Sequence, residues 1–244
     1  MKTTAIIAAG GVGERLGVPG GKQLLAIAGK PVAAWAIQAV CDARGVDEII
    51  VACDPDRVVA YEEQLSAAVA TTKPLRFVPG GETRTRSILA AIQHLPADAE
   101  AVLVHDGARP LATAELVDAA IEALHDAPAE VAGVIVGHPV SDTLKQVGDA
   151  EPSPLIAATV TREGLWQVQT PQVFRARALR DAYGRANSKG LSATDDAGML
   201  EAAGYKLALL TGPRDNIKVT VAEDIPIAEA LLRARETNEE TRSL

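Results

Sequence analysis

Strands without a polar face are the feature that most restricts this chain. Ala101-Val102-Leu103-Val104-His105 and Val131-Ala132-Gly133-Val134-Ile135-Val136 show no alternation of apolar and polar residues. Such strands are buried on both faces, as in a parallel sheet covered by helices above and below. Thr4 to Ala9, Val46 to Cys53, Leu75 to Val78 and Lys206 to Thr211 read as further strands. Between them the apolar residues return at helical spacing. Pro31 to Val40 is one helix, with the proline in its first turn, and Asp54-Pro55 opens a second. The loop Pro79-Gly80-Gly81-Glu82 opens a third that runs to about His94, and Thr113 to Leu124 is a fourth. Later helices cover Arg175 to Ala186, Asp195 to Ala203 and about Glu223 to Arg235. The alternation predicts a Rossmann-like three-layer α/β/α sandwich with a mostly parallel sheet, and residues 1–244 as a single domain.

The alternation breaks over 139–171. Asp142-Thr143-Leu144-Lys145 leads into a polar, turn-rich piece through Pro154, then Ile156 to Val160 and Trp166 to Thr170. Two extended segments joined by a turn are expected there, an inserted β-arm in place of a crossover helix. The free edge of such a hairpin must be covered, either by its own domain or by a second copy of the chain.

Charge and cysteine count exclude several classes. The 244 residues hold 24 Lys+Arg against 32 Asp+Glu, a formal charge of −8. That balance opposes a nucleic-acid partner, which needs clustered cations, but not a small anion held by a few of them. No apolar run approaches the roughly 20 residues needed to span a bilayer, so no membrane partner is expected. The start shows no signal-peptide pattern, and Cys41 and Cys53 are too few for a disulfide scaffold. The expected compartment is the cytoplasm.

Two segments carry chemistry. The first is Ala8-Ala9-Gly10-Gly11-Val12-Gly13-Glu14-Arg15-Leu16-Gly17, followed by Gly20-Gly21-Lys22-Gln23. Glycines let a backbone approach phosphate closely and aim successive N–H groups at it. A dinucleotide fingerprint fails, because Gly11, Gly13 and Gly17 are spaced G-x-G-x-x-x-G and no helix follows directly. A Walker A loop fails too: Gln23 offers no hydroxyl to a metal, and Leu16 stands where the leading glycine belongs. A plain surface loop would leave the cations at 15 and 22 unexplained.

The second segment is His105-Asp106-Gly107-Ala108-Arg109-Pro110 at a strand's C-terminal end, where open α/β sheets bind ligands. Asp106 there can hold Mg²⁺ together with substrate phosphates, and Arg109 can fork onto phosphate oxygens. The alternative is a turn cap and a surface cation. His105 reads as packed and not catalytic. Gly80, Gly81, Glu82 and Ser87 either face a base or sugar or simply start a capped helix. Lys218, inside Asn216-Ile217-Lys218-Val219-Thr220, needs a partner or an exit to water. Thr194 reads as the cap of a helix with Asp195 and Asp196 in its first turn.

No G-x-S-x-G elbow occurs, and His94, His105, His125 and His138 lack zinc-hydrolase spacing. What the residues offer is positioning and charge neutralisation, which suits phosphoryl or nucleotidyl transfer.

The glycine segment with Lys22-Gln23 resembles the A-A-G-x-G-x-R-x-G…P-K-Q signature of sugar-nucleotide-type nucleotidyltransferases. Val104 to Pro110, Asp142 to Lys145, Gly164-Leu165-Trp166, Gln169 to Gln172, Thr194 to Asp196 and Asn216 to Thr220 narrow it. In that order, from about residue 5 to 232, the chain resembles the cytidylyltransferase family acting on 2-C-methyl-D-erythritol 4-phosphate. The resemblance implies the nucleotide-diphospho-sugar transferase type of fold. It implies Mg²⁺ or another divalent cation as cofactor, CTP and a small polyol phosphate as substrates, and a homodimer through the β-arm. By the same resemblance Arg15, Lys22 and Lys218 would be the catalytic cations. Arg15 and Lys22 would hold the triphosphate, and Ala8, Ala9, Gly10, Gly11, Gly13, Gly80, Gly81, Glu82, Ser87 and Asp106 would complete the nucleotide site, with Asp106 also on the metal. Gly107, Arg109, Thr170, Thr194 and Lys218 would meet the second substrate with Asp106, and Thr143 and Arg162 would reach it across a dimer interface.

Gly21 stands where the family has proline, which leaves the loop before Lys22 freer, and Gly107 stands where many members have alanine. Transfer to ribitol 5-phosphate is the alternative within the class; Thr143, Arg162 and Thr194 favour methylerythritol phosphate. A silent nucleotide-binding scaffold is the alternative outside it, opposed by intact Lys22, Asp106 and Lys218.

Overall fold

A computed structural model describes residues 1–11, 21–148, 154–189 and 195–242, with the side chains of 187–189 and 238–242 excepted. Seven strands form the main sheet: β1 (Thr3–Ala8), β4 (Glu48–Cys53), β5 (Leu75–Pro79), β6 (Ala101–Asp106), β7 (Val131–Pro139), β10 (Trp166–Arg175) and β11 (Lys206–Thr211). Two short strands, β2 (Ala26–Ile27) and β3 (Lys30–Pro31), make a small separate ribbon. The spatial order is β11-β7-β10-β6-β1-β4-β5. Every neighbouring pair runs parallel except those of β10, which is antiparallel to both β6 and β7.

The apolar strands fill two core layers by simple alternation. Ile7, Ile49, Val51 and Leu103 face α1 (Val32–Asp42), α2 (Val58–Ala68) and α4 (Ala114–Asp126). Ile6, Ile50, Val102 and Val104 face α3 (Arg84–Ile92), α5 (Ala176–Lys189) and α6 (Asp196–Ala202). A third cluster joins Ile27, Val32, Leu111 and Val219 to α7 (Asp224–Arg242). Thr113 caps α4, accepting from the Leu116 amide at 3.2 Å. Pro31 instead ends the β2–β3 ribbon and sits one position before the first turn of α1.

The break in the alternation is real, but its strands are assigned differently from the sequence reading. The hairpin pairs β8 (Leu144–Val147) with β9 (Ile156–Val160), and every residue of both is exposed. Trp166 to Thr170 belongs to the main sheet. Pro171 suggested a stop, yet the strand continues past it with a register shift between Val168 and Gln172. Val173 and Phe174, both fully buried in opposite layers, draw this stretch into the core.

Candidate active site

β1 and β6 lie side by side, and the chain continues from β1 towards one edge of the sheet and from β6 towards the other. Their C-terminal ends therefore flank a crevice, the usual ligand position in such sheets. A cavity of about 390 Å³ opens there, lined by Gly10, Gly11, Lys22, Gly81, Ser87 and Asp106 among others. Its walls are backbone brought close. A Cβ on Gly80 would lie 2.8 Å from both the Cys53 carbonyl oxygen and Ser87 Oγ, so the turn admits glycine alone. Ser87 Oγ accepts from the Gly81 amide at 3.0 Å, and Thr83 caps α3 by accepting from the Arg86 amide. The loop thus starts a capped helix and also lines the cavity.

A second cavity of about 570 Å³ lies against the first, lined by Arg109, Trp166, Gln169, Thr170 and Asp195 among others. Arg84, Asp106 and Lys218 line both cavities and form the wall between them. On that wall Lys218 Nζ donates to Asp106 Oδ2 at 2.7 Å, and Arg84 Nε donates to Asp106 Oδ1 at 2.9 Å. Arg109 Nε stands 4.0 Å from Oδ2. Burial alone would raise the Asp106 carboxyl, but Arg84, Lys218 and Arg109 outweigh it and hold it well below the usual carboxylate range. Burial lowers the Arg109 guanidinium, Asp106 opposes that, and Arg84 adds to it. The lysine that the sequence placed among β-branched residues has thus found its partner.

The segment carrying Lys218 is pinned from several sides. Arg109 Nη1 donates to the Asn216 carbonyl at 2.7 Å, and Asn216 Nδ2 donates to the Thr170 carbonyl at 2.9 Å. The Val219 amide donates to the Ala108 carbonyl, and Lys22 Nζ donates to the Val219 carbonyl at 3.0 Å. Thr170 Oγ1 accepts from the Asp106 amide and lies 3.0 Å from His105 Nδ1. His105 is fully buried, and burial pushes it down to about 4, the state of a packed neutral imidazole. Burial pushes the Cys53 thiol up to about 11, which removes it as a nucleophile near this crevice.

The expected residues fall into four groups. Gly10, Gly11, Lys22, Gly81, Glu82, Ser87, Asp106, Arg109, Thr170 and Lys218 line one or both cavities, as does Ala8. Ala9, Gly80 and Gly107 stand just behind. Ala9 bonds to the Ala52 carbonyl, and a Cβ on Gly107 would lie 2.9 Å from Gln23 Oε1. Thr143 and Arg162 line neither cavity; both are exposed at the base of the hairpin, where Arg162 donates to the Ser141 carbonyl. Gly13, Arg15 and Thr194 lie outside the described residues. The cap of α6 is Asp195, not Thr194: its Oδ1 accepts from the Gly198 amide at 2.9 Å. Asp196, taken from the sequence as an ordinary first-turn acid, is completely buried. Gly21 has φ 83°, outside the reach of proline, so the entry to Lys22 follows a route closed to the family's usual residue.

Arg84 was missed, and a signal for it existed. It occupies the first turn of α3, where the helix dipole disfavours a cation and where no acid is present. A cation in that position needs an anionic neighbour from elsewhere in the fold, and here it has two.

For a divalent ion the residues present fit a shared site and not a protein-only cage. Among the described residues no group of three His, Cys, Asp or Glu side chains could hold a metal. Asp106 is ionised and faces both cavities; its two oxygens offer about four lone-pair positions, and the cations occupy only some of them. One carboxylate completed by phosphate oxygens is the pattern Mg²⁺ accepts.

Comparison with known proteins gives the family. The family model described as IspD, 2-C-methyl-D-erythritol 4-phosphate cytidylyltransferase, matches residues 3–234. The 2-C-methyl-D-erythritol 4-phosphate cytidylyltransferase of Thermosynechococcus vestitus is 38% identical over 235 residues, covering 96% of this chain and 97% of that protein. That of Caldanaerobacter subterraneus subsp. tengcongensis is 37% identical over 233 residues, 96% of this chain and 100% of the relative. The crystal structure of the Thermus thermophilus enzyme of the same name superposes with a TM-score of 0.75 at 32% identity, covering 96% of this chain and 100% of that one. The 4-diphosphocytidyl-2C-methyl-D-erythritol synthase of Anaerococcus prevotii gives a TM-score of 0.80 at 28% identity over 95% of this chain and 96% of its own. Fold, identity and near-complete coverage agree, and the chain belongs to the 2-C-methyl-D-erythritol 4-phosphate cytidylyltransferase family.

Proposed function

We propose that this chain transfers the cytidylyl group of CTP to 2-C-methyl-D-erythritol 4-phosphate, releasing pyrophosphate. The observation that carries the reading is the wall shared by the two cavities, where Asp106 is gripped by Lys218 and Arg84. The smaller, glycine-lined cavity takes CTP and the larger takes the polyol phosphate. Their reacting phosphates then meet at a wall of cations.

No general base is required. The attacking group is a phosphate monoester with a second pKa near 6, so it is mostly dianionic at neutral pH. One of its oxygens forms a bond to the α-phosphorus of CTP. The bond from that phosphorus to the β-phosphate's bridging oxygen breaks, and pyrophosphate leaves with the electron pair. Two anions approach each other, so the chain's contribution is to neutralise charge and hold the pair in line. Lys22 serves the triphosphate, Lys218 the meeting point and Arg109 the acceptor's phosphate. We assign Arg15 to the triphosphate and Thr194 to the acceptor on the family motif. A divalent cation, Mg²⁺ by the chemistry of the site, would be held by Asp106 and would supply further neutralisation of phosphate charge.

We also read the exposed β8–β9 hairpin as the arm of a homodimer, 139–171 as the inserted element within a single domain, and Thr143 and Arg162 as residues offered to the twin's larger cavity. Exposed Leu155 and Ile156 on the hairpin support this. No helix among the described residues is long and apolar enough to cross a membrane, and both cysteines are free and buried; a cytoplasmic setting suits them. The test is a pyrophosphate-release assay that pairs each nucleoside triphosphate with methylerythritol phosphate and with ribitol 5-phosphate, with and without Mg²⁺. Release with CTP, methylerythritol phosphate and Mg²⁺ together is expected. Release with ribitol phosphate alone would replace the acceptor.

A further inference from the structure

Asp196 is a buried charge that the reaction does not use. It is completely buried in the first turn of α6, yet it lines neither cavity. Helix capping does not explain it, since Asp195 already serves as the cap. A buried carboxylate is expensive unless it is paired, and replacing such pairs by apolar residues is often neutral or stabilising. Its presence here therefore points to geometry more than to stability. Two groups hold it. The Tyr183 hydroxyl of α5 donates to Oδ1, and Arg84 Nη2 of α3 lies 2.7 Å from Oδ2.

The same guanidinium reaches Asp106 Oδ1 through Nε at 2.9 Å. A planar fork anchored at one end has little freedom at the other, which a lysine could not reproduce. We propose that Asp196, backed by Tyr183, is a positioning residue: through Arg84 it fixes the Asp106 carboxylate on the wall between the two cavities. Four elements (α3, β6, α5 and α6) thereby set the angle of one side chain. Gln172 ties the same helix to β10, with Nε2 donating to Asp195 Oδ2 at 2.9 Å and Oε1 accepting from the Ala197 amide. Any drift of α6 would thus reach both cavities at once. This inference rests on the proposed reaction only for its kinetic readout.

The decisive variant is Asp196→Asn, which keeps the shape and a bond to Tyr183 while removing the charge. In the full-length protein kcat should fall about tenfold, with KM for CTP within about twofold of the parent. Arg84→Gln should fall further, and the double variant should be no worse than Arg84→Gln, because the two residues act in series. Amide exchange over residues 104–109 should quicken about fivefold in Asp196→Asn. Asp181→Asn, which loosens an exposed pair with Arg185, should leave it unchanged. Unchanged kcat, additive losses or unchanged exchange overturns the proposal. If the parent itself releases no pyrophosphate, the reaction is wrong, and exchange alone then decides the positioning role. If Asp196→Asn does not fold, Tyr183→Phe and Arg84→Lys take its place with the same readouts.

Discussion

The two cavities are built by different means. The smaller is made largely of backbone from the first half of the chain: Gly10 and Gly11 after β1, Asp54 and Pro55 after β4, and Gly81 with Thr83 before α3. The larger is made of side chains drawn from far apart, from Arg109 through Gln169 and Thr170 to Glu201 and Leu209. Close turns at strand ends create the first. The second exists only because β10 enters the sheet backwards between β6 and β7 and brings Gln169 and Thr170 beside Asp106. The smaller recess is thus a local property of the chain, whereas the larger is a property of the assembled sheet.

The largest effects should come from the cations, and they should separate the cavities. Lys218 lines both, Lys22 only the smaller. In the proposed reaction each faces developing phosphate charge, and removing one such direct stabiliser costs about 3–4 kcal/mol, or some two to three orders of magnitude in kcat. Lys22→Ala should add a raised KM for CTP and leave the acceptor's KM nearly unchanged. Lys218→Ala should raise both, and it leaves Asp106 with Arg84 as its remaining close partner, so circular dichroism should still report a folded protein. Equal acceptor KM effects from the two variants would abolish the distinction between the cavities.

How much of this was legible follows the same division. The glycine loop, Lys22 and the Asp106 turn could be read because their chemistry is local and contiguous. The apolar strands revealed the sheet for a similar reason, since burial on two faces is written into each strand alone. Asp196 escaped because it has an adequate local explanation as a first-turn acid, and Arg84 because its one signal, a cation in a first turn without an acid, does not say which anions it meets. Only the fold places them 2.7 Å apart. The fate of Trp166 to Thr170 was misread for a similar reason. Antiparallel insertion depends on Val173 and Phe174 finding two core layers that the segment itself does not contain.

His105 offers a sharper probe of the seam where the two constructions meet, because it links β6 to Thr170 on β10. Its folded pKa is depressed to about 4 by burial, against an ordinary value near 6.5. The unfolded chain therefore binds the proton more readily between these values. The stability that accompanies the neutral ring is fully present above about pH 6.5 and is lost as pH falls towards 4. A displacement of this size corresponds to about 3 kcal/mol over that window. Asp106 also loses stability on acidification, but only below the ordinary carboxylate range, so it leaves the interval from pH 6.5 to 4.5 to the histidine. Urea unfolding across that interval should show a marked slope in the parent and a flatter one in His105→Gln. Parallel slopes would mean that the seam does not exclude the proton.

The smallest effect on the folded chain should lie farthest from both cavities, in the hairpin. Val147 and Ile156 are 54% and 66% exposed, so within one chain they bury little apolar surface. Val147→Thr with Ile156→Thr keeps the β-branched shapes and should change the unfolding free energy of the monomer by less than about 0.5 kcal/mol per site. Association is a different matter. If the arm packs on a twin, the same pair of substitutions places two hydroxyls in an apolar contact, and sedimentation at micromolar concentration should move from dimer towards monomer. The acceptor's KM should rise with that shift while the KM for CTP holds, because Thr143 and Arg162 sit at the base of the arm and the proposal gives them to the twin's larger cavity, not the smaller. A parent that sediments only as monomer would remove the twin from the acceptor's recess. Among the described residues, the larger cavity would then have the cations Arg84, Arg109 and Lys218 for that phosphate.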